Sequence, residues 1–130
     1  MPTDYQRQDN KYLLPTAVYH QTLWQIRDYY RLKEIYDSVA EERPGPSDGM
    51  PRGRGGTSDP TFQKAVKLEE IGKIILVIEE ARDLIPEEYR HGVWRSVMFR
   101  EPYPIDAARG TYGKWKSRFV CTVAKKLNFI

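Results

Sequence analysis

The sequence predicts an all-α fold, in which a long antiparallel helical hairpin precedes a smaller helical module. Two segments, 15–42 and 60–84, repeat apolar residues at steps of three and four, the spacing of one helix face. A stretch rich in glycine and proline separates the two segments, as expected of the loop of a hairpin. No part of the 130 residues shows the alternating pattern of a β-strand.

The first predicted helix runs from Pro15 to Glu42. Proline is favoured at the first helical position, and no glycine or proline follows it before the helix ends. At about 1.5 Å per residue, this segment would form a helix roughly 42 Å long. Its apolar face is expected to comprise Ile26, Tyr29, Leu32, Tyr36 and Val39.

The segment 43–60, RPGPSDGMPRGRGGTSDP, is predicted to be a flexible linker because it holds five glycines and four prolines. Arg52 and Arg54 in its RGRGG stretch are candidate phosphate contacts, since cations in such a segment attract nucleic-acid backbones. A linker without any ligand is the interpretation that we favour.

The second predicted helix begins at Pro60, with Ser58 or Asp59 as its cap, and ends near Leu84. Leu68, Ile71, Ile75 and Ile78 follow a heptad-like spacing that suits packing against the first helix. Residues 1–85 are therefore expected to form a module for interaction or oligomerisation. Ile74 and Val77 lie on neighbouring faces, so we expect residual apolar surface there and a homodimer.

Residues 86–130 are predicted to form a separate, basic module. The net charge of +3 is unevenly distributed, because residues 1–85 carry 12 basic and 14 acidic side chains, whereas residues 86–130 carry 9 and 4. This asymmetry favours a polyanionic partner such as nucleic acid, although a solvated basic surface without a partner remains an alternative. Its predicted elements are a helix over 86–99, a turn over 100–110 with at most a short helical piece from Pro104 to Arg109, and a last helix from Thr111 to Leu127.

The last predicted helix has two distinct sides. Its apolar side is expected to comprise Tyr112, Trp115, Phe119, Val120, Val123 and Leu127. Its outward side is expected to comprise Thr111, Lys114, Arg118, Cys121 and Lys125. Lys116 falls within the apolar arc, and we expect its long side chain to reach the surface sideways.

This layout is typical of the recognition helix of a helix-turn-helix, which enters the major groove of double-stranded DNA. The predicted DNA-binding residues are Thr111, Lys114, Lys116, Arg118 and Lys125, with Arg109 as a further candidate phosphate contact. Arg118 is expected to recognise guanine, because a guanidinium offers two parallel donors. The lysines are expected to contact phosphates.

Several of these stretches resemble known transcription proteins. LIPEEYR and GTYGKWKSRFVCTVAKKL resemble the last helix-turn-helix domain, region four, of bacterial sigma factors. From about Lys11 onward, the order of DGMPRGRGGTSDPT, IPEEYR, YPIDAARGTYGKWKSRF and VAKKL resembles phage and prophage late-transcription regulators of the ArpU and RinA type. This resemblance implies a non-enzymatic, sequence-specific regulator in the bacterial host cell, with RNA polymerase as a candidate partner. It also supports Thr111, Lys114 and Arg118 as DNA-facing positions.

The remaining chemistry of the sequence predicts no enzyme and no cofactor. Cys121 is the only cysteine, and His20 and His91 lack ligands at metal-binding spacing. The N-terminus has no apolar signal region, and the run Ile74–Ile78 is far too short to cross a bilayer, so we expect a cytoplasmic protein. The alternative function is a DNA-binding assembly protein, such as a small terminase subunit or a non-catalytic adaptor.

Overall fold

The computed structural model describes residue 6 and residues 11–41 and 60–130. These residues form five helices: α1 Thr16–Arg27, α2 Tyr29–Glu41, α3 Pro60–Asp83, α4 Glu87–Phe99 and α5 Arg109–Lys126. The described ranges contain no strand, and the all-α prediction is confirmed. The segment 43–59, with the predicted linker and its Arg52 and Arg54, lies outside the described residues.

The single first helix of the prediction is two helices, interrupted at Asp28. The backbone of Asp28 has φ −82° and ψ 0°, in the bridge region of φ/ψ space. Its carboxylate accepts two hydrogen bonds from the Arg31 guanidinium, at 2.6 Å from Nε and 2.8 Å from Nη2. The apolar periodicity continues across Asp28, so it does not register this local change of backbone geometry. The interruption gives the two halves different neighbours, because α1 packs on α4 and α5 while α2 packs on α3.

Helices α2 and α3 pack with opposite chain directions. Near the start of α2, the Tyr29 hydroxyl donates to Glu79 Oε2 at 2.5 Å. Later in α2, the ring of Tyr36 covers Gly72, and a Cβ atom on Gly72 would lie only 2.9 Å from Tyr36 Cε2. The later residue of α2, Tyr36, therefore contacts the earlier residue of α3, Gly72. The two helices are antiparallel here. Burial of Tyr29 and its hydrogen bond to Glu79 raise its pKa to about 12.

One hydrophobic core joins residues from both sides of the predicted module boundary. Helices α1, α3 and α4 all contact α5. The fully buried side chains include Leu23, Ile26, Ile78, Val93, Val97, Val120 and Val123. Residues 86–130 therefore pack directly on the N-terminal helices through shared apolar side chains.

The connection between α4 and α5 contains no helix. α4 ends at Arg100, whose backbone is left-handed with φ 57°, and the chain runs through turns and coil to Ala108 before α5 begins. The predicted helical piece from Pro104 to Arg109 is therefore wrong. In this connection Pro104 packs against Gly92 of α4 and Asp106 accepts a hydrogen bond from Tyr112, and such contacts with other elements are not visible in the local sequence. The connection is also longer than the three or four residues of a typical helix-turn-helix turn.

Tyr112 fixes this connection to both helices. Its hydroxyl donates to Asp106 Oδ1 at 2.6 Å, and its ring stacks on Tyr103 at 5.1 Å between centroids. On α4, Gly92 lies against the same ring, where an added Cβ would approach Tyr112 Cε1 to 2.7 Å and Pro104 Cδ to 2.8 Å. The start of α5 thus packs closely on α4 because Gly92 has no side chain.

We predict that Gly92→Ala destabilises the protein by about 1–3 kcal/mol, the usual result of overfilling a packed core. The clash is with a buried ring and a proline ring, neither of which can turn aside easily. Gly113→Ala is the matched control, because nothing lies within 4 Å of its added Cβ. Alanine there should raise stability by about 0.5–1 kcal/mol through its higher helix propensity. Equal melting temperatures for Gly92→Ala and the parent, in thermal unfolding, would contradict this packing.

Candidate nucleic-acid interface

α5 packs into the hydrophobic core of the fold. Its buried side chains are Tyr112, Lys116, Phe119, Val120, Cys121, Val123 and Ala124. Three helices pack against it, so its buried arc is wider than that of a helix with one apolar side. The remaining band of α5 faces solvent, and its side chains decide which ligands the helix can bind.

That band is basic. Lys114, Arg118 and Lys125 are exposed, and they recur at steps of four and seven along α5, which places them on one side of the helix. Thr111, one turn before Lys114, is half-buried at the start of the same side. We call Lys114, Arg118 and Lys125 the basic strip. The prediction of an exposed cationic side is confirmed for these three residues.

Trp115 supports the basic strip from its flank. The sequence predicts an inward Trp115, whereas the structure has it half-buried, packed on the core with part of its ring exposed. Lys114 Nζ lies 5.4 Å from the centroid of this ring, and Arg118 Cζ lies 5.5 Å from it. Cation–π contacts of this kind restrict the two long side chains without neutralising their charge. The sequence signal for these cation–π contacts is a tryptophan that directly follows a lysine and precedes an arginine by three residues.

Lys116 does not belong to the exposed surface. It is only 6% exposed, so the expectation that it snorkels to the surface and contacts DNA is wrong. Its neighbours on the wheel, Tyr112, Phe119 and Val123, are all buried and surround it with apolar atoms. Among the described residues, no buried side-chain nitrogen or oxygen lacks a hydrogen-bond partner, so the ammonium group of Lys116 is satisfied inside the protein.

Cys121 is likewise buried rather than outward. It is a free thiol, 6% exposed, although the wheel places it on the outward side, and along the helix it lies between Arg118 and Lys125. A small apolar side chain lets a neighbouring helix approach α5 closely, and a wheel drawn for one isolated helix cannot show that approach. The burial of Cys121 separates Lys125 from the two cations nearer the N-terminus.

The remaining predicted contacts divide into two groups. Arg109 is exposed and is the first residue of α5, where the partial positive charge of the helix N-terminus adds to its own. Arg52 and Arg54 lie outside the described residues, so the structure does not relate them to α5. Thr111, Lys114, Arg118 and Lys125 therefore share one side of α5, whereas Arg109 begins the helix on a different side.

No carboxylate within the described ranges forms an ion pair with Lys114, Arg118 or Lys125. The neighbouring Lys126 does face one, Glu80 of α3, at 3.7 Å from Nζ to Oε1. A separation of that length between two exposed side chains is a weak, solvent-screened pair. The electrostatic character of the strip is thus uniformly positive along its length.

The described residues contain no group of three or more histidine, cysteine, aspartate or glutamate side chains placed to hold a metal ion. No helix in the described part of the chain has the length and apolarity needed to cross a membrane.

Comparison with known proteins gives no match to a protein-family model, to a curated protein or to a solved structure.

We predict that Phe119→Ala destabilises the protein much more than Trp115→Ala does. Phe119 is fully buried between helices, and removing such a ring usually costs about 3–5 kcal/mol. Trp115 exposes part of its ring, so less apolar area returns to water when it is truncated. Chemical denaturation of both variants measures the difference. Equal losses would place Trp115 in the core and remove it from the surface that supports the basic strip.

A second prediction concerns the hydrogen bond that holds the start of α5. Donation to Asp106 and burial of the phenol raise the pKa of Tyr112 to about 12, above the ordinary value of about 10. The bond therefore stabilises the fold fully below about pH 10, and its contribution is lost as the pH rises through 12. Asp106→Asn should lower the pKa of Tyr112, measured by NMR titration of the phenol ring carbon. An unchanged pKa in that variant would contradict the assignment of the bond.

Proposed function

We propose that this protein is a sequence-specific, non-enzymatic transcription regulator of the phage type that binds double-stranded DNA through α5. The observation that carries the proposal is the basic strip, whose three exposed cations share one side of a helix, with Trp115 beside Lys114 and Arg118. Phosphate contacts by lysine and arginine supply most of the affinity of proteins for DNA, because they release condensed counterions.

The length of the strip suits a helix in the major groove. From Lys114 to Lys125 the helix rises roughly 16 Å, which matches the axial length of about five base pairs. The major groove is about 12 Å wide and admits one α-helix. Recognition helices contact base edges mainly with their N-terminal residues, and the N-terminal half of α5 is also its less buried half.

Within this proposal the cations have different roles. Arg118 sits centrally in the strip and is the candidate for paired hydrogen bonds to guanine O6 and N7. Lys114 and Lys125 lie on either side of it and contact phosphates, as does Arg109 at the helix start. Thr111 offers a short hydroxyl near the groove wall. Lys116 has no part in the contact, because it is buried.

The alternative function, a DNA-binding assembly protein, has an observation in its favour. Leu76 of α3 and Leu84, which directly follows α3, are more than half exposed, which provides apolar surface for self-association. The sequence predicts this apolar surface at Ile74 and Val77 instead. In the structure Val77 is buried and Ile74 is packed against the core. A homodimer and contact with RNA polymerase therefore remain proposals, with Leu76 and Leu84 as the candidate dimer contacts.

Selection from a random pool of DNA duplexes at near-physiological salt tests the proposed function directly. A regulator should enrich one sequence that it binds about a thousandfold or more tightly than random DNA. An assembly protein should enrich no single sequence and should form large rings, which sedimentation would detect. A pool that stays random, with affinity independent of salt, would contradict both functions.

We predict that Arg118→Ala weakens binding to the selected duplex by about 1–3 kcal/mol and relaxes the preference at one base pair. Lys114→Gln should weaken binding to selected and scrambled duplexes alike, and should reduce the slope of log affinity against log salt by about one. Lys73→Gln is the charge-matched control, because Lys73 is exposed on α3 outside the strip. Parental binding of both duplexes by Arg118→Ala and Lys114→Gln would show that the strip is only a solvated surface.

A further inference from the structure

A second surface lies where the junction of α1 and α2 meets the C-terminal end of α4. Its members, which we call the aromatic–arginine surface, are Trp24, Tyr30, Arg95, Phe99 and Arg100. Three large aromatic side chains are widely exposed there, with Trp24 at 59%, Tyr30 at 49% and Phe99 at 48%. Aromatic side chains usually bury most of their area, so this much exposure in one place requires an explanation.

The surface is held in place by contacts beneath it. Arg27 Nε donates to the carbonyl oxygen of Val97 at 2.7 Å, which joins α1 to the last turn of α4. The same guanidinium lies over the ring of Trp24, with Cζ 5.1 Å from the centroid. Under Tyr30, the buried Trp94 donates from Nε1 to the Tyr30 hydroxyl at 2.9 Å. The exposed rings are therefore fixed by the core rather than free to turn.

Guanidinium groups lie over the exposed rings of Phe99 and Trp24. Tyr30 and Phe99 are stacked, with 14° between their planes and 6.2 Å between centroids. Arg95 Cζ lies 4.8 Å from the centroid of Phe99, and Arg100 Cζ lies 5.7 Å from that of Trp24. These cation–π contacts hold cationic groups directly beside the exposed rings.

Arg100 occupies a position that normally belongs to glycine. It follows the last residue of α4 in the left-handed conformation, with φ 57°. Glycine is the usual residue there, because a Cβ atom makes this conformation strained. Strained residues concentrate at functional sites, where the side chain is needed at a fixed place. The side chain of Arg100 is held above Trp24, the most exposed tryptophan of the described chain.

The charge of the surface is positive. The segments 24–31 and 95–101, from which it is built, contain four arginines and two carboxylates. Asp28 pairs with Arg31, and Glu101 pairs with Arg95. The electrostatic complement of such a surface is a ligand that carries negative charge together with apolar groups.

The composition of the surface favours a protein ligand over a nucleic acid. Neither segment contains a lysine, whereas the basic strip on α5 contains two. Aromatic residues and arginine are enriched, and lysine depleted, in protein–protein interfaces.

We propose that the aromatic–arginine surface docks a segment of a partner protein in which carboxylates are interspersed with apolar side chains. The exposed rings bury the apolar side chains, and the net positive charge of the two segments attracts the carboxylates. This docking is independent of DNA binding by α5, since it uses none of the same residues.

The test is selection from a library of random peptides displayed on phage, with the full-length chain immobilised, followed by anisotropy measurements on the selected peptides. The selected pool should be enriched in aspartate or glutamate together with leucine or aromatic residues. Trp24→Gln and Arg100→Gly should each weaken binding about thirtyfold, the loss typical of one hot-spot residue. Lys73→Gln should bind as the parent does.

Arg100→Gly also separates binding from folding. Glycine relieves the left-handed strain, so this variant should melt at or above the temperature of the parent while it loses the peptide. The proposal is overturned if no acidic peptide is enriched, or if binding depends on Lys114 rather than on Arg100. It is overturned as well if labelled single-stranded oligothymidine binds more tightly than the peptides and this binding is lost in Arg100→Gly.

Discussion

The enclosure of α5 by three other helices determines the rest of this structure. Because α1, α3 and α4 all pack on α5, its apolar side chains form the middle of the core. The same packing fixes which polar residues remain outside, and so it buries Lys116 and Cys121 while it leaves the basic strip exposed. The close fit of Tyr112 against Gly92 sets the start of α5 on α4 and thereby sets the position of Lys114 and Arg118.

Local sequence signals predict the bounds of the helices well, but they predict poorly what packs against each helix. Periodicity and proline positions place α3 and α4 almost to the residue, since both signals lie within the helix itself. The break at Asp28 is a local change of backbone geometry, which apolar periodicity does not record because the pattern continues across it. The exposure of Lys114 and Arg118 is visible on a wheel, whereas the burial of Cys121 depends on helices far away in sequence.

The two candidate surfaces use arginine and lysine in different ways. In the basic strip, two of the three cations are lysines, which act as hydrated point charges suited to phosphates. In the aromatic–arginine surface every cation is an arginine, and each lies over an aromatic ring. Such a pairing of planar groups suits a desolvated protein contact. Helix α1 links the two surfaces physically, because it carries Trp24 and also packs on α5.

The most direct test of the account is NMR mapping of the site on the protein that binds the selected duplex. The duplex is titrated into the protein while the amide signals of α5 and the three tryptophan indole signals are followed. DNA binding by α5 predicts shifts at Lys114, Arg118 and Lys125 and at the Trp115 indole, which the basic strip adjoins. The Trp24 indole, on the aromatic–arginine surface, should stay where it is in the free protein. Shifts centred on Trp24 and Arg100, with those of α5 unmoved, would contradict the account.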